Sequence, residues 1–190
     1  MSGVDPKILS IIQEVDSLRS TRKDHWQIPL VEGELLHQIA LFARCKTIVE
    51  IGTSYGFSGL FWGAALKQTG GELHTIDIDP RKVESSRSTF DRAGLAGVVI
   101  NHQGDARQIL NQLLGPFDLV FIDADKPSCQ TYFDLSWPKV RNGGCVITDN
   151  ALTHKAELAQ FIAHLRALPD AVSTEVPVGN GIEWTIKRER

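Results

Sequence analysis

Apolar residues near the start of the chain recur every three or four positions, which is the spacing of an amphipathic helix. This pattern predicts a first helix over residues 6–19, with Asp5 as its N-terminal cap. A second helix is predicted over residues 31–44. Its inner face is expected to carry four apolar side chains: Leu35, Leu36, Ile39 and Phe42.

From residue 47 onward, short apolar runs alternate with helical patterns. The runs predict strands over residues 47–51, 73–78, 98–102, 117–122 and 144–148. The stretches between them predict helices over residues 57–67, 81–93, 105–114 and 130–137. Such an alternation is typical of a parallel sheet with helices on both faces.

The last part of the chain leaves this alternation. A helix predicted over residues 155–168 is followed by strand-like runs over residues 172–176 and 182–187, joined by Gly179-Asn180-Gly181. Glycine and asparagine between two such runs indicate a hairpin. We therefore predict one Rossmann-like, doubly wound α/β domain over residues 1–190, with a mostly parallel seven-stranded sheet and an antiparallel C-terminal hairpin at its edge.

Composition and charge narrow the class of protein. The chain has 190 residues, of which 42% are hydrophobic and 23% charged, with a net charge of −3; these values are typical of a globular protein and exclude a disordered or fibrous chain. No apolar run approaches the length of a bilayer span, and the N-terminus lacks a signal-peptide core. The cysteines, Cys45, Cys129 and Cys145, are far apart and are expected to be free thiols in a reducing compartment. We expect a cytoplasmic protein.

The loop after the first predicted strand is rich in glycine. Gly52 and Gly56 are four residues apart, whereas a dinucleotide-binding loop requires its second glycine two residues after the first. The spacing suits a nucleoside without a pyrophosphate, bound beyond the carboxyl ends of the strands. Asp77, at the end of the second strand, can accept hydrogen bonds from both hydroxyls of a ribose. Asp105, after the third strand, could reach an adenine amino group, and helix capping explains it equally well.

Polar side chains also stand at the ends of the fourth and fifth predicted strands. Asp123 ends the fourth, and Asp149 and Asn150 end the fifth. Two carboxylates and an amide oxygen suit a hard divalent cation such as Mg²⁺. Because successive strand residues face opposite sides, Asp149 and Asn150 can share a cation only if the strand ends and the chain turns there. The alternative is that these residues merely cap loops.

Lys126 lies three residues beyond Asp123. From there it could accept the proton of a hydroxyl or stabilise an oxyanion; the alternative is a surface lysine at the start of a helix. A vicinal diol such as a catechol would chelate a cation through both oxygens, and the cation would lower the pKa of the hydroxyl.

Five segments in this order resemble a known family. They are residues 50–58, the strand end at Asp77, residues 121–126, residues 148–150 and residues 177–181. Together they resemble the class I S-adenosylmethionine-dependent O-methyltransferases, in the cation-dependent branch that includes the caffeoyl-CoA and catechol enzymes. The resemblance runs from about Trp26 to the C-terminus. It implies S-adenosyl-L-methionine as methyl donor, a divalent cation such as Mg²⁺, a small aromatic hydroxyl acceptor and a homodimer.

The resemblance also implies roles for individual residues. Asp123 and Lys126 would be catalytic, with the lysine as base, and the metal ligands would be Asp123, Asp149 and Asn150. The cofactor-binding residues would be Ile28, Glu50, Gly52, Thr53, Gly56, Ser58, Asp77, Ile78, Asp105, Ala106 and Asp123. Residues 1–30 would face the substrate and a partner subunit, and residues 31–190 would form the cofactor-binding core. Trp26 could stack on an aromatic acceptor, and a place on a core face explains it equally well.

The sequence departs from the family pattern in two places. Cys129 stands where the family often has tyrosine, and after Asn150 the chain passes almost directly into a helix, where the family commonly inserts a substrate loop. The acceptor pocket is therefore expected to be more open, or to be completed by another subunit.

Two other functions remain open at this stage. Some relatives methylate a hydroxylated uridine in tRNA, which requires a basic surface; the candidates are Lys139, Arg141, Lys187, Arg188 and Arg190. The net charge of −3 speaks against nucleic acid. The other function is binding of S-adenosylmethionine without catalysis, for which Asp123, Lys126, Asp149 and Asn150 would not be needed.

Overall fold

The computed structural model describes residues 3–19 and 26–189; most of the stretch between the first two helices, and Arg190, lie outside these ranges. Two helices, α1 (Pro6–Leu18) and α2 (Leu30–Phe42), come before the sheet. The strands are β1 (Thr47–Ile51), β2 (Glu72–Asp77), β3 (Val99–Gln103), β4 (Phe117–Ile122), β5 (Val140–Asp149), β6 (Ala171–Val176) and β7 (Ile182–Lys187). The other helices are α3 (Phe57–Thr69), α4 (Pro80–Arg92), α5 (Ala106–Gln112), α6 (Cys129–Ser136) and α7 (Lys155–Ala167). None of the helices in the described ranges is both long enough and apolar enough to span a membrane.

The sheet has the strand order β3-β2-β1-β4-β5-β7-β6. Strands β1 to β5 pair in parallel, and β7 pairs antiparallel with both β5 and β6. The predicted fold class, including the hairpin edge, is confirmed. The strand order reverses between β1 and β4, so the connections after these two strands leave the sheet on opposite sides and open a crevice between them.

The first two helices pack against the sheet and α3. Helix α1 buries Ile8, Ile11, Ile12 and Val15, so its apolar stripe lies in the core of its own chain. In α2 the buried face includes Glu32, Leu36 and Ile39. The prediction that Phe42 shares this face is wrong, because its side chain is 90% exposed. Phe42 lies six residues after Leu36, about 120° away around a helix of 3.6 residues per turn.

Several strand limits differ from those predicted, and two of the differences matter for the site and its surroundings. Strand β5 begins at Val140, although its glycine-rich residues 141–144 have the composition of a loop; a register shift between Phe117 and Leu119 of β4 accommodates them. Strand β2 ends at Asp77, one residue before the predicted end. Ile78 therefore lies beyond the strand and is 72% exposed.

An ion pair attaches the C-terminal hairpin to α7. Glu183 in β7 is fully buried, and its carboxylate accepts hydrogen bonds from Arg166 at 2.8 and 2.7 Å and from the Ser173 hydroxyl at 2.7 Å. The Arg166 side chain is 46% exposed. The charge of the buried Glu183 carboxylate is therefore balanced by the guanidinium group of Arg166, which remains partly exposed to water.

We predict that Arg166→Met lowers the free energy of unfolding. Removing one partner of a fully buried pair costs about 3–5 kcal/mol, and because Arg166 is half exposed we expect about 2 kcal/mol. Urea denaturation with an unchanged m-value measures this loss. Lys155→Met, at an exposed position of the same helix, is the matched control and should change stability by less than about 0.5 kcal/mol. Equal midpoints for both variants would contradict the prediction.

Candidate active site

A cavity of about 710 Å³ lies at the carboxyl ends of the central strands. Its walls bring together many of the residues that the sequence singled out. These are Gly52, Asp77, Ile78, Asp105, Ala106, Asp123, Lys126, Asp149 and Asn150. The cavity lies at the reversal of strand order, where doubly wound sheets bind their ligands.

The other predicted cofactor residues are buried and do not belong to the described cavity walls. They are Ile28, Glu50, Thr53, Gly56 and Ser58. Glu50 accepts a hydrogen bond from the Thr75 hydroxyl at 2.6 Å, and Thr75 in turn lies 2.5 Å from the Thr53 hydroxyl. Burial raises the pKa of Glu50 to about 7. The carbonyl oxygen of Ile28 accepts a hydrogen bond from Arg19. Glu50 and Thr53 thus form, through Thr75, a buried hydrogen-bonded group that supports the glycine loop.

The glycine loop crosses directly over the end of β4. Gly52 has a φ of 103°, and a Cβ at this position would overlap the carbonyl oxygen of Asp123. The Asp123 N–H donates to the Ile51 carbonyl at 2.9 Å. Only glycine satisfies both the positive φ and the close approach. The loop after β1 and the loop after β4 are therefore in contact.

Asp77 holds the same loop from the side of β2. Its Oδ2 accepts the Ser54 N–H at 2.8 Å, and its Oδ1 accepts the Asp79 N–H at 2.9 Å. A carboxylate oxygen can accept more than one hydrogen bond. Asp77 can therefore brace the loop and still offer lone pairs to a ligand in the cavity.

Asp105 caps α5. Its carboxylate accepts the Arg107 backbone N–H at 2.9 Å, and Arg107 Nη2 donates to it at 2.6 Å. These hydrogen bonds to Arg107 lower the pKa of Asp105. Asp105 was interpreted either as a helix cap or as a contact for an adenine amino group. The structure contains the capping contact, and Asp105 also lines the cavity.

Lys126 begins a short 3₁₀ turn after β4, and its side chain is only 10% exposed. Its Nζ donates to the Ala124 carbonyl at 2.9 Å and lies 3.6 Å from Oδ1 of Asp123. The alternative of a surface lysine is therefore wrong. Its ammonium group lies in the cavity wall beside the carboxylate of Asp123.

The chain turns where β5 ends, as a shared cation at Asp149 and Asn150 requires. Asp149 is the last residue of the strand, and Asn150 has a φ of 69°, in the left-handed region. The Asn150 N–H donates to Asp149 Oδ1 at 2.5 Å, and its side-chain amide nitrogen donates to the Thr153 hydroxyl at 3.1 Å. The amide oxygen of Asn150 therefore points away from Thr153.

Buried acids concentrate negative charge at this end of the cavity. Glu32 is fully buried and Asp149 is 1% exposed. Burial, and next the charge of Asp149, raise the pKa values of Glu32 and Asp123. Burial raises the pKa of Asp149. Oxygen donors with excess negative charge are the chemistry that a hard divalent cation prefers.

The described residues contain no group of three or more His, Cys, Asp or Glu side chains arranged to hold a metal ion. The predicted set has two carboxylates and one amide oxygen, and open positions of this kind are usual for Mg²⁺, which retains several waters. The cation site therefore stays a prediction, and its donor atoms fit a cation of this class.

Comparison with known proteins identifies the family. A family model described as O-methyltransferase matches residues 1–167. The chain belongs to this O-methyltransferase family. It is 37% identical over 125 residues to a catechol O-methyltransferase of Niastella koreensis, in a match that covers 64% of this chain and 56% of that protein. It is 31% identical over 159 residues to a catechol O-methyltransferase of Mycobacterium tuberculosis, with 83% and 70% covered.

A solved structure of an O-methyltransferase has the same fold. The O-methyltransferase TomG from Streptomyces achromogenes, involved in tomaymycin synthesis and determined in complex with S-adenosylmethionine, matches with a TM-score of 0.85 and 27% identity. The match covers 99% of this chain and 93% of that one. By contrast, the chain spans little more than half the length of the Niastella relative.

Several residues in the cavity wall, or buried next to it, were not predicted as site residues. One feature of the sequence could have indicated that Glu32 is buried: it lies four residues before Leu36, on the same face of α2. Asn180 was noted only as part of a hairpin turn, and it lines the cavity. Trp26 is 82% exposed in the cavity wall, so the core-face interpretation is wrong. Further wall residues are Lys82, Arg107, Asp125, Tyr132, His154 and Glu157.

Two of the basic residues suggested for tRNA donate hydrogen bonds to backbone carbonyl groups. Lys139 Nζ donates to the carbonyls of Leu110 and Leu113 at 2.5 and 2.8 Å. Lys187 Nζ donates to the carbonyls of Trp137 and Val140 at 2.7 and 2.8 Å. Both ammonium groups thus satisfy backbone oxygens, and Arg190 lies outside the described residues.

We predict that Gly52→Ala destabilises the protein by roughly 3 kcal/mol, because the new Cβ combines overlap with a backbone oxygen and a positive φ. Gly97→Ala is the control, since a Cβ there has nothing within 4 Å. Urea denaturation compares the two variants. A Gly52→Ala midpoint equal to that of Gly97→Ala would contradict the close contact between the two loops.

Proposed function

We propose that this chain is an S-adenosylmethionine-dependent O-methyltransferase that uses a divalent cation to methylate a hydroxyl of a small, catechol-like aromatic compound. The observation that carries the proposal is a single cavity with two chemically different sides. One side consists of the glycine loop and Asp77. The other consists of Asp123, Lys126, Asp149 and Asn150.

The cofactor side suits a nucleoside. The Asp77 carboxylate lies in the cavity wall, where it can accept hydrogen bonds from ribose hydroxyls. Ile78 offers an exposed apolar surface to an adenine ring, next to Asp105 and Ala106. S-Adenosylmethionine supplies a methyl group on a sulfonium. Membership of the family, and the S-adenosylmethionine complex of the Streptomyces relative, support this choice.

The acceptor side would hold the cation through Asp123, Asp149 and Asn150. A bound Mg²⁺ lowers the pKa of a coordinated hydroxyl and fixes its oxygen. The carboxylates supply the negative charge that favours such an ion, and at the turn the backbone N–H of Asn150 donates to Oδ1 of Asp149.

Lys126 is the group placed to take the acceptor proton. Its Nζ is held by the Ala124 carbonyl and lies 3.6 Å from Asp123. As the acceptor oxygen bonds to the methyl carbon, the carbon–sulfur bond breaks and leaves a neutral thioether, and the hydroxyl proton passes to Lys126 in its neutral amine form. The contact between the loops of Gly52 and Asp123 sets the two reactants side by side, and alignment of this kind accounts for much of the rate of such a transfer.

We assign the acceptor to the end of the cavity next to Asn150. Trp26 presents an exposed ring in its wall, and residues 151–154 form turns that lead directly into α7. An aromatic acceptor could stack on Trp26, and the two relatives named catechol O-methyltransferase support this substrate class. Assembly as a homodimer and a cytoplasmic location remain parts of the proposal.

We predict methyl transfer from labelled S-adenosylmethionine to a catechol panel with Mg²⁺, and its loss with EDTA. Asp149→Ala should abolish the metal-dependent turnover because it removes a cation ligand, while its affinity for S-adenosylhomocysteine should stay within about twofold. Asp91→Ala, at an exposed position of α4, is the control and should retain both. Product labelling and calorimetric titration are the measurements.

Two results would refute the cation-dependent part. One is transfer that continues at the same rate in EDTA. The other is an Asp149→Ala enzyme as active as Asp91→Ala. Binding of S-adenosylhomocysteine with no transfer to any catechol would refute the acceptor class and leave the cofactor assignment intact.

A further prediction concerns the ribose. Asp77→Ala should weaken S-adenosylhomocysteine binding by about 1–3 kcal/mol, because the ligand loses its acceptor and the Ser54 N–H loses its partner. Asp79→Asn is the matched control: it preserves the cap of α4 and alters a residue outside the described cavity walls. Isothermal titration measures both, and equal affinities would exclude Asp77 from cofactor binding.

A further inference from the structure

The hairpin turn between β6 and β7 is fastened to the chain that follows Asn150. The carbonyl oxygen of Asn180 accepts the N–H groups of Leu152 and Thr153 at 3.1 and 3.2 Å. The carbonyl oxygen of Gly181 accepts the Ala151 N–H at 2.8 Å. The segment immediately after the proposed cation ligands is therefore hydrogen-bonded to the turn, which lies far away in the sequence.

The side chain of Asn180 reaches one of those ligands. Its Nδ2 donates to Asp149 Oδ2 at 3.3 Å, while the Asn150 N–H holds the other oxygen, Oδ1, at 2.5 Å. With Asp149 only 1% exposed, these donors stand in place of water and fix the plane of the carboxylate. Each oxygen retains acceptor capacity for a cation.

A buried acid of α2 anchors the turn. The Asn180 backbone N–H donates to Glu32 Oε2 at 3.0 Å. A Cβ on Gly179 would overlap this same oxygen, and Gly179 has a φ of 61°. Glu32 is fully buried, and a side-chain hydrogen bond joins its carboxyl group to that of Asp149. The acid thus sits directly behind the turn and beside Asp149.

Packing fixes the turn on its other side as well. A Cβ on Gly181 would overlap the Leu152 side chain, and Gly181 has a φ of 81°. Turn residues that only reverse the chain direction lie at the surface, whereas Asn180 is partly buried in the wall of the cavity. The geometry of this turn is therefore set by contacts with the site.

We propose that Asn180 is a positioning residue for the cation. Anchored on Glu32, it orients the carboxylate of Asp149 through its side chain and holds the segment after Asn150 through its carbonyl. It is not itself a ligand. The inference rests on the proposed cation at Asp123, Asp149 and Asn150. Partners that orient metal ligands typically account for about 10–100-fold in metal affinity.

The test uses Mn²⁺ as a spectroscopic probe on the full chain saturated with S-adenosylhomocysteine. In Asn180→Ala we expect Mn²⁺ affinity, measured by electron paramagnetic resonance, to fall by about tenfold. Affinity for S-adenosylhomocysteine should stay within about twofold, because Gly52 and Asp77 do not contact the turn. Turnover should recover at saturating Mg²⁺, since the ligands themselves remain.

Asn142→Ala is the matched control, because Asn142 is an exposed asparagine of β5 outside the described cavity walls; it should leave both affinities unchanged. Asn180→Ser, which retains the backbone contacts and shortens the side chain, should lower Mn²⁺ affinity in the same direction and carries the test if the alanine variant does not fold. Thermal unfolding of each variant verifies the fold.

The outcomes separate this inference from the function on which it rests. If wild type binds Mn²⁺ and Asn180→Ala binds it equally well, the positioning role is refuted and the cation site stands. If the variant loses Mn²⁺ and S-adenosylhomocysteine affinity together, the turn is merely structural and the inference fails. If wild type binds S-adenosylhomocysteine but no Mn²⁺, the cation itself is refuted.

Discussion

The contact of Gly52 with the carbonyl oxygen of Asp123 is the constraint on which the site depends. Strands β1 and β4 are neighbours in the sheet, but their following loops belong to opposite arms of the fold. With any side chain at residue 52 the loops would have to separate. Because they touch, the surface suited to a nucleoside and the surface suited to a cation share one cavity, and a transfer between two ligands becomes geometrically feasible.

The same end of the sheet carries an electrostatic cost. Glu32, Asp123 and Asp149 are drawn together where burial disfavours their charged forms, as the raised pKa values record. The fold offsets part of this cost with Lys126 and with N–H donors from Asn150 and Asn180. Ionisable groups whose pKa values are shifted by burial and by neighbouring charges in a cavity are typical of functional sites. A divalent cation would relieve the remaining repulsion.

Local sequence patterns predicted what local forces determine. The alternation of strands and helices, the glycine loop and the strand-end residues Asp77 and Asp123 follow from short-range periodicity and spacing, and the structure brings them to one edge of the sheet. Glu32 could not be placed in this way, because its partner Asn180 is 148 residues away along the chain. Phe42 and Trp26 differ for a similar reason: whether an apolar side chain is covered depends on what packs over it, and neither the helical pattern around Phe42 nor the local sequence around Trp26 contains that information.

In the proposed reaction, the walls that would select an acceptor come from the chain after Asn150 and from Trp26. Beyond Asn150 the wall is made by turns that the hairpin residue Asn180 fastens in place, followed at once by α7. The remaining wall at this end comes from side chains such as Trp26, His154 and Glu157. On the proposed function, we expect substitutions of Trp26, His154 or Glu157 to change acceptor preference without altering the contact between Gly52 and the carbonyl oxygen of Asp123.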